Sequence, residues 1–409
     1  MLIKRVLIVW EHGGNLGHMS RLLPIAIALR KEDCEVFFAV ADVPMARRYF
    51  GNLNFNFVVL PSVPLGIVRE PGALNHADIL LKLGFGDTTK AQLCVNQWVG
   101  LFHSIKPASV LVDSSPLAFY AARCAGLPAL MIGHGFELPP IAGERPCFTP
   151  WVENAAQKVI QLEERLQQGF HALAQSLSPN LRLSAPTSVD DLFRPDQLAL
   201  LAWPEFDHFD RKLCAERAVS GYRGPIWAEA PGAKQYDWPD RDGPKVLCYL
   251  NLRDKRYDLV WQALKQNGAN VLEISPNGVA KASEAARGWG IQVVEEPILL
   301  GALISTCDAV VGHGGMGLTS MALHAGKPIL LLPEHLEQTI LAYRLSKQGL
   351  AIATIKLRDK VLLQKKIGEL LTGFHLKQSA TSFANHYHHY QSALAVNVVV
   401  CKIKELAEQ

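Results

Sequence analysis

The stretch between residues 307 and 338 constrains the fold of this chain more than any other. A short apolar run at 309–311 ends in the glycine-rich turn GHGG, and a segment with helical spacing follows at 318–325. A single glycine then ends the helix, and the next apolar run covers 328–332. A strand, a turn, a helix and a second strand in this order predict one βαβ step of a parallel sheet.

The turn of this step has the features of an anion site. It lies at the carboxyl end of a strand and the amino end of a helix, where unpaired N–H groups and the helix dipole favour a negatively charged ligand. The candidate ligand-binding residues combine an accessible backbone with side-chain donors: Gly314, Gly315, Gly317, His313, Thr319 and Ser320. The alternative is a connection that binds nothing, but a histidine and two hydroxyl groups in one turn favour the ligand site.

Both halves of the chain repeat the alternation of strands and helices. The apolar runs that predict strands lie at 6–10, 35–41, 57–60, 110–113, 129–132, 246–249, 270–274 and 291–294. Residues 221–244 are rich in Gly, Pro, Asp and Arg and have little periodicity, which is typical of a linker. We therefore expect an α/β fold with one doubly wound domain over residues 1–220 and a second over 245–375.

The bulk properties exclude several classes of protein. A chain of 409 residues, 49% hydrophobic and 19% charged, is long enough for two ordinary domains and gives no sign of disorder. The net charge of +3 is too small to indicate nucleic-acid binding. No apolar run approaches the length of a membrane span, and eight scattered cysteines without a Cys-x-x-Cys pair indicate a cytoplasmic protein with reduced thiols.

Two residues of the first half are candidates for acid–base chemistry. His18 follows a glycine-rich turn after the first strand and opens a helix, so it lies at the sheet edge where ligands bind. Its imidazole can accept a proton at neutral pH, although a helix cap or a phosphate contact is an alternative. Asp113 ends the strand 110–113 at the same edge and can orient the imidazole, with an N-cap for the helix near Pro116 as its alternative role.

The motif around the second turn resembles the nucleotide-sugar signature of the UDP-glycosyltransferase superfamily. These are inverting enzymes of the GT-B fold, and they include bacterial natural-product and plant flavonoid glycosyltransferases. The matching residues are His313, Gly314, Gly315, Met316, Gly317, Thr319, Ala322, Leu323, Gly326, Pro328, Pro333, Glu337 and Gln338. Residues 6–30 are also similar to the family, since Gly17, His18 and Pro24 match the turn that carries its catalytic base.

The resemblance implies a fold and a division of tasks. It implies two Rossmann-like doubly wound domains that face a cleft, with a helix over residues 376–409 that packs back on the N-terminal domain. His18 would be the catalytic base and Asp113 its partner. His313 and the amino terminus of the following helix would hold the diphosphate, so the chemistry would need no bound metal and no resident cofactor.

The resemblance also assigns the contacts to the donor sugar and its nucleoside. Glu337 and Gln338 would hold sugar hydroxyls, and Pro297 and Ile298 would lie beside the nucleobase. Two residues depart from the family pattern. Met321 stands where the family commonly has a glutamate that binds the ribose, and Glu337 replaces the usual aspartate.

Two other motifs have competing interpretations. The GGNLG motif at 13–17, with Asp42 after the second strand, could form a dinucleotide-binding turn, but its spacing is not Gly-x-Gly-x-x-Gly. His386 and His389 share a helical face and could bind a metal. No carboxylate or cysteine set lies near them in the sequence, so a solvated helix face is favoured.

The sequence therefore predicts an inverting glycosyltransferase that moves a sugar from a UDP or TDP sugar to a hydroxyl group of a small-molecule acceptor. Its expected partners are the nucleotide sugar and the acceptor, without nucleic acid and without a transmembrane segment, and contact with a membrane surface stays open. One alternative is a lipid-linked transferase similar to the enzyme that completes the peptidoglycan precursor. A second is a degenerate GT-B protein that binds a nucleotide or a partner without turnover, which Met321 keeps open.

Overall fold

The computed structural model describes residues 4–12, 16–61, 73–140, 146–149, 152–194, 197–209, 221–250, 257–275, 284 and 286–408. The contacts between these residues divide the chain into two compact units. The first comprises Met1–Ile226 and Ser392–Gln409, and the second comprises Trp227–Gln391. Each unit is built on its own parallel sheet.

The first unit contains a six-stranded parallel sheet in the order β3-β2-β1-β4-β5-β6. Its strands are β1 Arg5–Trp10, β2 Glu35–Val40, β3 Asn56–Val58, β4 Ser109–Asp113, β5 Ala129–Gly133 and β6 Leu198–Leu200. The central strands β1, β4 and β5 are buried almost throughout. Helices cover both faces of a parallel sheet, so side chains that point to either face are apolar. The predicted α/β class is confirmed.

Helices connect these strands and cover the sheet. They are α1 Leu16–Lys31, α2 Val43–Phe50, α3 His76–Leu80, α4 Thr88–Ile105, α5 Pro116–Cys124, α6 Ala155–Ser176, α7 Pro179–Arg182 and α8 Val189–Leu192. Single turns at Gly51–Leu53, Leu81–Phe85 and Pro204–Phe206 complete the connections. The apolar side chains of α1 at Leu22 and Ala26 are fully buried against the sheet.

The second unit repeats this architecture with the order β12-β11-β10-β7-β8-β9. Its strands are β7 Lys245–Tyr249, β8 Asn270–Ile274, β9 Gln292–Val294, β10 Ala309–Gly312, β11 Ile329–Leu331 and β12 Ile352–Ala353. Its helices are α9 Tyr257–Gln266, α10 Leu300–Thr306, α11 Met316–His324, α12 Leu336–Lys347, α13 Lys360–Thr372 and α14 Phe374–His386. The predicted βαβ step is therefore β10, α11 and β11.

The carboxyl-terminal tail differs from the single helix expected over 376–409. It forms α14 and, after a break at Tyr387–Gln391, α15 Ser392–Leu406. Helix α14 stays with the second unit, where it packs on α11 so closely that a Cβ at Gly326 would lie 3.5 Å from the Ala384 side chain. Only α15 belongs to the first unit, because its apolar face packs against α1, β4 and β5.

The segment 221–244, expected as a linker, also divides between the units. Tyr222 pairs with Leu200 at the edge of the first sheet, and Ile226 is buried in the core of the first unit. Further along, the Glu229 carboxylate accepts hydrogen bonds from the backbone N–H groups of Leu300 and Gly301, in the second unit. The chain therefore passes from one unit to the other between residues 226 and 227.

The structure also bears on the expectations for membrane-spanning helices and for the cysteines. The described helices include none with the length and apolarity that a membrane span requires. The seven cysteines that the structure describes are all free thiols, and most are buried.

Candidate active site

The first unit brings the two predicted acid–base residues into contact. Strands β1 and β4 are neighbours in the sheet, and their register pairs Trp10 with Asp113 at the carboxyl end of both strands. His18 lies in the first turn of α1, and its ring stacks on Trp10 with centroids 5.1 Å apart. Its Nδ1 lies 3.0 Å from Asp113 Oδ2. The Asp113 side chain is fully buried, whereas the His18 side chain keeps 13% of its surface exposed.

The alternative role of Asp113 as a helix cap is not the one observed. The N-cap of α5 is Ser115, and the Ser115 hydroxyl donates to the Asp113 carbonyl oxygen while it accepts from the Glu11 N–H. Ser114 adopts a left-handed backbone conformation with φ of 50°, which lets the chain leave β4 before α5 begins. The Asp113 carboxylate is therefore free to face His18.

A buried arginine completes this cluster, and the sequence analysis missed it. Arg21 lies one helical turn after His18, and its Nε donates to Asp113 Oδ2 at 2.8 Å. Its Nη2 donates to Asp113 Oδ1 and, at 3.1 Å, to Glu137 Oε1. Its Nη1 lies 2.8 Å from His134 Nε2. One guanidinium thus lies against two carboxylates and two histidines, which come from three separate segments of the sequence.

The hydrogens of this cluster select one tautomer of His18. Arg21 Nη2 also lies 2.8 Å from His18 Nδ1, but Nη2 carries only two hydrogens, and Asp113 and Glu137 accept both. The hydrogen between His18 and Asp113 must then sit on His18 Nδ1 and point at Asp113 Oδ2. In the neutral form of the ring, His18 Nε2 then carries the lone pair that a general base requires.

The charges of the cluster follow from the same contacts. Burial raises the pKa of Asp113, but the charges of Arg21 and His18 and their hydrogen bonds outweigh it and lower that pKa. Burial also raises the pKa of Glu137. The contacts with His134, Arg21 and His18 outweigh this effect and hold that pKa far below its usual range. Both carboxylates are therefore ionised at neutral pH, and Arg21 neutralises one of the two charges.

The donor atoms of His18, Asp113 and Glu137 also lie within 4.8 Å of one another, which is close enough for a metal site. The Arg21 guanidinium already occupies the lone pairs of both carboxylates, so a cation would have to displace it. This is the one such group among the described residues, so the ring nitrogens of His386 and His389 belong to no comparable cluster there.

The residues before His18 give little support to a dinucleotide turn. Gly13 and Gly14 lie outside the described residues. The Asp42 side chain accepts from Met45 N as the N-cap of α2, so this carboxylate serves the helix. His12 is buried, and burial lowers its pKa to about 4, so this ring is neutral.

The second unit places the predicted anion-binding turn between β10 and α11. Gly314 has a φ of 92°, a left-handed conformation that glycine tolerates best, and Gly315 is the N-cap of α11. A Cβ at Gly314 would lie 3.7 Å from the Gln338 side chain, so the turn and the start of α12 are adjacent. His313, the three glycines and Gln338 are therefore brought together, and Glu337 is the preceding residue on α12.

Thr319 and Ser320 differ from the expectation. Both are buried, with 1% and 0% of their surface exposed, because the helical period turns these positions of α11 toward the sheet. The Thr319 hydroxyl donates to the Gly315 carbonyl oxygen at 2.8 Å. The Thr319 hydroxyl therefore supports the first turn of α11, and neither hydroxyl is presented at the helix surface.

Two residues that the sequence analysis missed hold His313. Its Nδ1 lies 3.1 Å from the Tyr257 hydroxyl, and that hydroxyl donates to Glu334 Oε1 at 3.0 Å. Since the Tyr257 hydrogen is directed at Glu334, the hydroxyl oxygen accepts from His313 Nδ1–H. This contact orients the His313 ring through Nδ1. The Gln338 side chain fixes Glu334 from the other side by accepting its backbone N–H at 2.9 Å.

Pro297 and Ile298 lie directly before α10. The Pro297 carbonyl oxygen accepts from Lys234 N, and Ile298 is buried and forms a bridge with Lys234. A Cβ built on Gly301 at the start of α10 would lie 3.0 Å from Glu229 Oε1 and 3.9 Å from the Met321 methyl group. Met321, which stands in place of a family carboxylate, is therefore beside a carboxylate from another segment.

The signals that could have found the missed residues differ in strength. Arg21 is a charged residue on an apolar helix at the i+3 position from His18, which predicts a shared face. Glu137 and Tyr257 carry no comparable signal, because only the fold brings their loops to the two histidines.

The comparisons with known proteins agree with this architecture. Residues 288–387 match the family described as erythromycin biosynthesis protein CIII-like, C-terminal domain. The PGL/p-HBAD biosynthesis glycosyltransferase of Mycobacterium tuberculosis is 23% identical, over 96% of this chain and 92% of the relative. The NDP-glycosyltransferase YjiC of Bacillus subtilis is 21% identical over 42% of each chain.

Solved structures are similar over nearly the whole chain. The glycosyltransferase SnogD from Streptomyces nogalater has a TM-score of 0.63 at 19% identity, with 98% of this chain and 99% of SnogD covered. The glycosyltransferase VinC, solved in complex with dTDP, has a TM-score of 0.62 at 18% identity, with 99% of both chains covered. At these identities the likeness concerns the fold.

Proposed function

We propose that the chain is a nucleotide-sugar glycosyltransferase of the GT-B superfamily, which moves a sugar, with inversion, from a UDP or TDP sugar to a hydroxyl group of a small-molecule acceptor. The observation that carries this proposal is the pair of sites at the carboxyl ends of the two sheets. One holds a histidine whose Nδ1 contacts a buried carboxylate, and the other offers a helix amino terminus and a second histidine. Groups of this kind can deprotonate a nucleophile and stabilise an anionic leaving group.

The first unit supplies the base. The acceptor hydroxyl gives its proton to His18 Nε2, and its oxygen forms a bond to the anomeric carbon of the donor sugar. As this bond forms, the bond between the anomeric carbon and the diphosphate oxygen breaks, and its electron pair leaves with the nucleoside diphosphate. Asp113 holds the Nδ1 hydrogen of His18 and stabilises the imidazolium that forms.

The second unit holds the leaving group. The backbone N–H groups at the start of α11, near Gly315 and Gly317, and the positive end of the helix dipole face the diphosphate in this proposal. In this proposal a protonated His313 ring donates a hydrogen bond from Nε2 to the diphosphate, while the Tyr257 hydroxyl contacts Nδ1 and donates to Glu334. This set of groups offsets the developing charge without a metal or a resident cofactor.

The remaining donor contacts fall on segments next to this turn. Glu337 and Gln338 hold sugar hydroxyls, and Pro297 and Ile298 border the nucleobase. The dTDP bound to the structural neighbour VinC supports a pyrimidine nucleoside diphosphate as the ligand.

The test is a thermal-shift panel of UDP, TDP, GDP, ADP and NAD(H). A ligand at about 100 times its Kd stabilises the native state by about 2.7 kcal/mol, so UDP or TDP should raise the melting temperature clearly. His313→Ala should abolish this shift, whereas the matched variant His375→Ala, exposed on α14, should retain it. His18→Ala should retain the shift and lose turnover.

The other outcomes separate the competing hypotheses. A shift with NAD(H) alone would refute the glycosyltransferase proposal and revive the dinucleotide turn. A shift with UDP or TDP in a protein that hydrolyses and transfers no nucleotide sugar would indicate a binding protein of the same fold.

A further inference from the structure

We propose that the surface formed by residues 355–366 binds an anionic lipid bilayer. This segment leads from β12 into the first turns of α13. It carries five cationic side chains and one acidic side chain: Lys356, Arg358, Lys360, Lys365, Lys366 and Asp359. Its net charge of +4 exceeds the +3 of the whole chain, so the other residues together carry a net charge of −1. The excess positive charge of this protein is thus concentrated in one short surface segment.

The segment also exposes aliphatic side chains among these cations. Ile355 is 63% exposed and Val361 is 82% exposed. Leu357 and Leu363, in contrast, are buried in the core of the second unit, with 5% and 1% of their surface exposed. Because these buried neighbours anchor the segment, Ile355 and Val361 are held at the surface by the fold. They are available to enter an apolar phase.

The cations are not engaged with protein groups. Lys356, Arg358, Lys360 and Lys365 are exposed, and in the described part of the chain no side-chain ion pair involves them. The one acidic residue of the segment, Asp359, caps α13 by accepting a hydrogen bond from Leu362 N. The next acidic residue, Glu369, lies more than two turns after Lys360, although it is about one turn from Lys365 and Lys366. The patch is therefore a free source of positive charge.

A groove beside the patch can take a lipid headgroup. It lies between α9 and α13 and has a volume of about 550 Å³. Lys360, Val361 and Lys365 line the side of α13. The α9 side contributes only uncharged residues: Leu259, Gln262, Ala263, Gln266 and Asn267. A phosphate group in this groove would meet two ammonium groups and no carboxylate, which is the chemistry of an anionic headgroup site.

The combination of charge and exposed aliphatic groups favours a bilayer over a nucleic acid. Clusters of four to eight Lys and Arg residues on an amphipathic helix bind anionic lipids, and each cation near the membrane surface adds to the free energy of binding. Apolar side chains add to this binding by entering the boundary between headgroups and acyl chains. The phosphates of a nucleic acid would contact the cations, but they would make no favourable contact with the apolar side chains of Ile355 and Val361.

This inference does not rest on the proposed glycosyltransferase activity, and its test needs no substrate. The full-length protein is sedimented with vesicles of phosphatidylglycerol and phosphatidylcholine, and with vesicles of phosphatidylcholine alone, at 50 mM and 500 mM NaCl. We expect binding to the anionic vesicles only, with most of it lost at high salt because the ions screen the charges. The triple variant Lys356→Gln/Lys360→Gln/Lys365→Gln should lower the partition coefficient on the order of 100-fold.

Two further variants make the test specific. The matched control Lys31→Gln/Arg48→Gln/Lys158→Gln removes three exposed cations from the first unit and should lower binding much less. Ile355→Ser/Val361→Ser should weaken vesicle binding and leave the melting temperature unchanged, since both side chains are exposed. Equal losses in the patch and control variants would overturn the proposal. So would an absence of binding at 50 mM NaCl, or a preference for RNA that the Ile355/Val361 variant retains.

Discussion

Replacing Asp113 by asparagine tests the hydrogen-bond argument at His18. An asparagine amide has nearly the same shape as the carboxylate, but with its NH2 group at the Oδ2 position it donates to His18 Nδ1 and loses the hydrogen bond from Arg21 Nε. The imidazole would then carry its hydrogen on Nε2 and could not act as a base. A wrong tautomer of this kind lowers kcat on the order of 10⁴-fold, which corresponds to about 5.5 kcal/mol in the activation free energy.

Glu137→Gln is the matched control for this variant. Both substitutions turn a carboxylate that contacts Arg21 into an amide, and each weakens charge-assisted hydrogen bonds worth about 1.5–3 kcal/mol. The two variants should therefore lose similar amounts of the free energy of unfolding. Glu137 does not accept the Nδ1 hydrogen of His18, so its variant should lose less than about 10-fold in kcat.

Two measurements decide between these expectations. Release of UDP or TDP from a nucleotide sugar, with a mixture of acceptor alcohols, gives kcat and the KM for the donor. Nitrogen NMR of the His18 ring reports which nitrogen carries the hydrogen. The reasoning is refuted if both variants lose kcat equally, or if His18 in Asp113→Asn keeps its hydrogen on Nδ1.

Three further predictions concern the second unit. Tyr257→Phe removes the acceptor of His313 Nδ1 and should weaken UDP or TDP binding about 10-fold with little effect on the melting temperature of the free protein, which titration calorimetry and a thermal melt would measure. Burial raises the pKa of Glu273 to about 7, so the folded protein binds more protons than the unfolded chain above pH 4.5. The free energy of unfolding should therefore fall by about 3 kcal/mol between pH 4.5 and 7. Urea titrations at several pH values should show a flatter dependence of this free energy on pH for Glu273→Gln. Gly326 has a φ of 71°, so Gly326→Ala should destabilise the protein by about 1 kcal/mol in urea unfolding, and no loss would contradict the left-handed strain.

The sequence predicted what depends on local patterns. The apolar runs at β1 and β10 and the glycine-rich turns after them define strand edges, and the parallel register then forces their termini together. His18 and Asp113 could be paired from this logic alone, because both follow adjacent buried strands. The turn around His313 was found in the same way.

What the sequence did not reveal depends on long-range geometry or on the phase of a helix. The sequence analysis did not single out Arg21, since nothing in the sequence says that Asp113 and Glu137 compensate its charge in the interior. Thr319 and Ser320 read as ligand groups by proximity to the turn, but the period of α11 buries them. The break at Tyr387–Gln391 divides the tail between the units, because α14 has its own apolar partners on α11.

The strand order has a consequence for how new activities could arise on this chain. Counted from the first strand of each unit, both sheets read 3-2-1-4-5-6, so the connections diverge to opposite sides between strands one and four. His18 and Asp113 follow those two strands in the first unit, and Tyr257 and His313 follow them in the second. Each unit therefore has its switch point at the same place in the sheet, and we propose proton transfer at one and anion binding at the other. Exchange of the loops at either point should alter one task while the scaffold of the other stays intact.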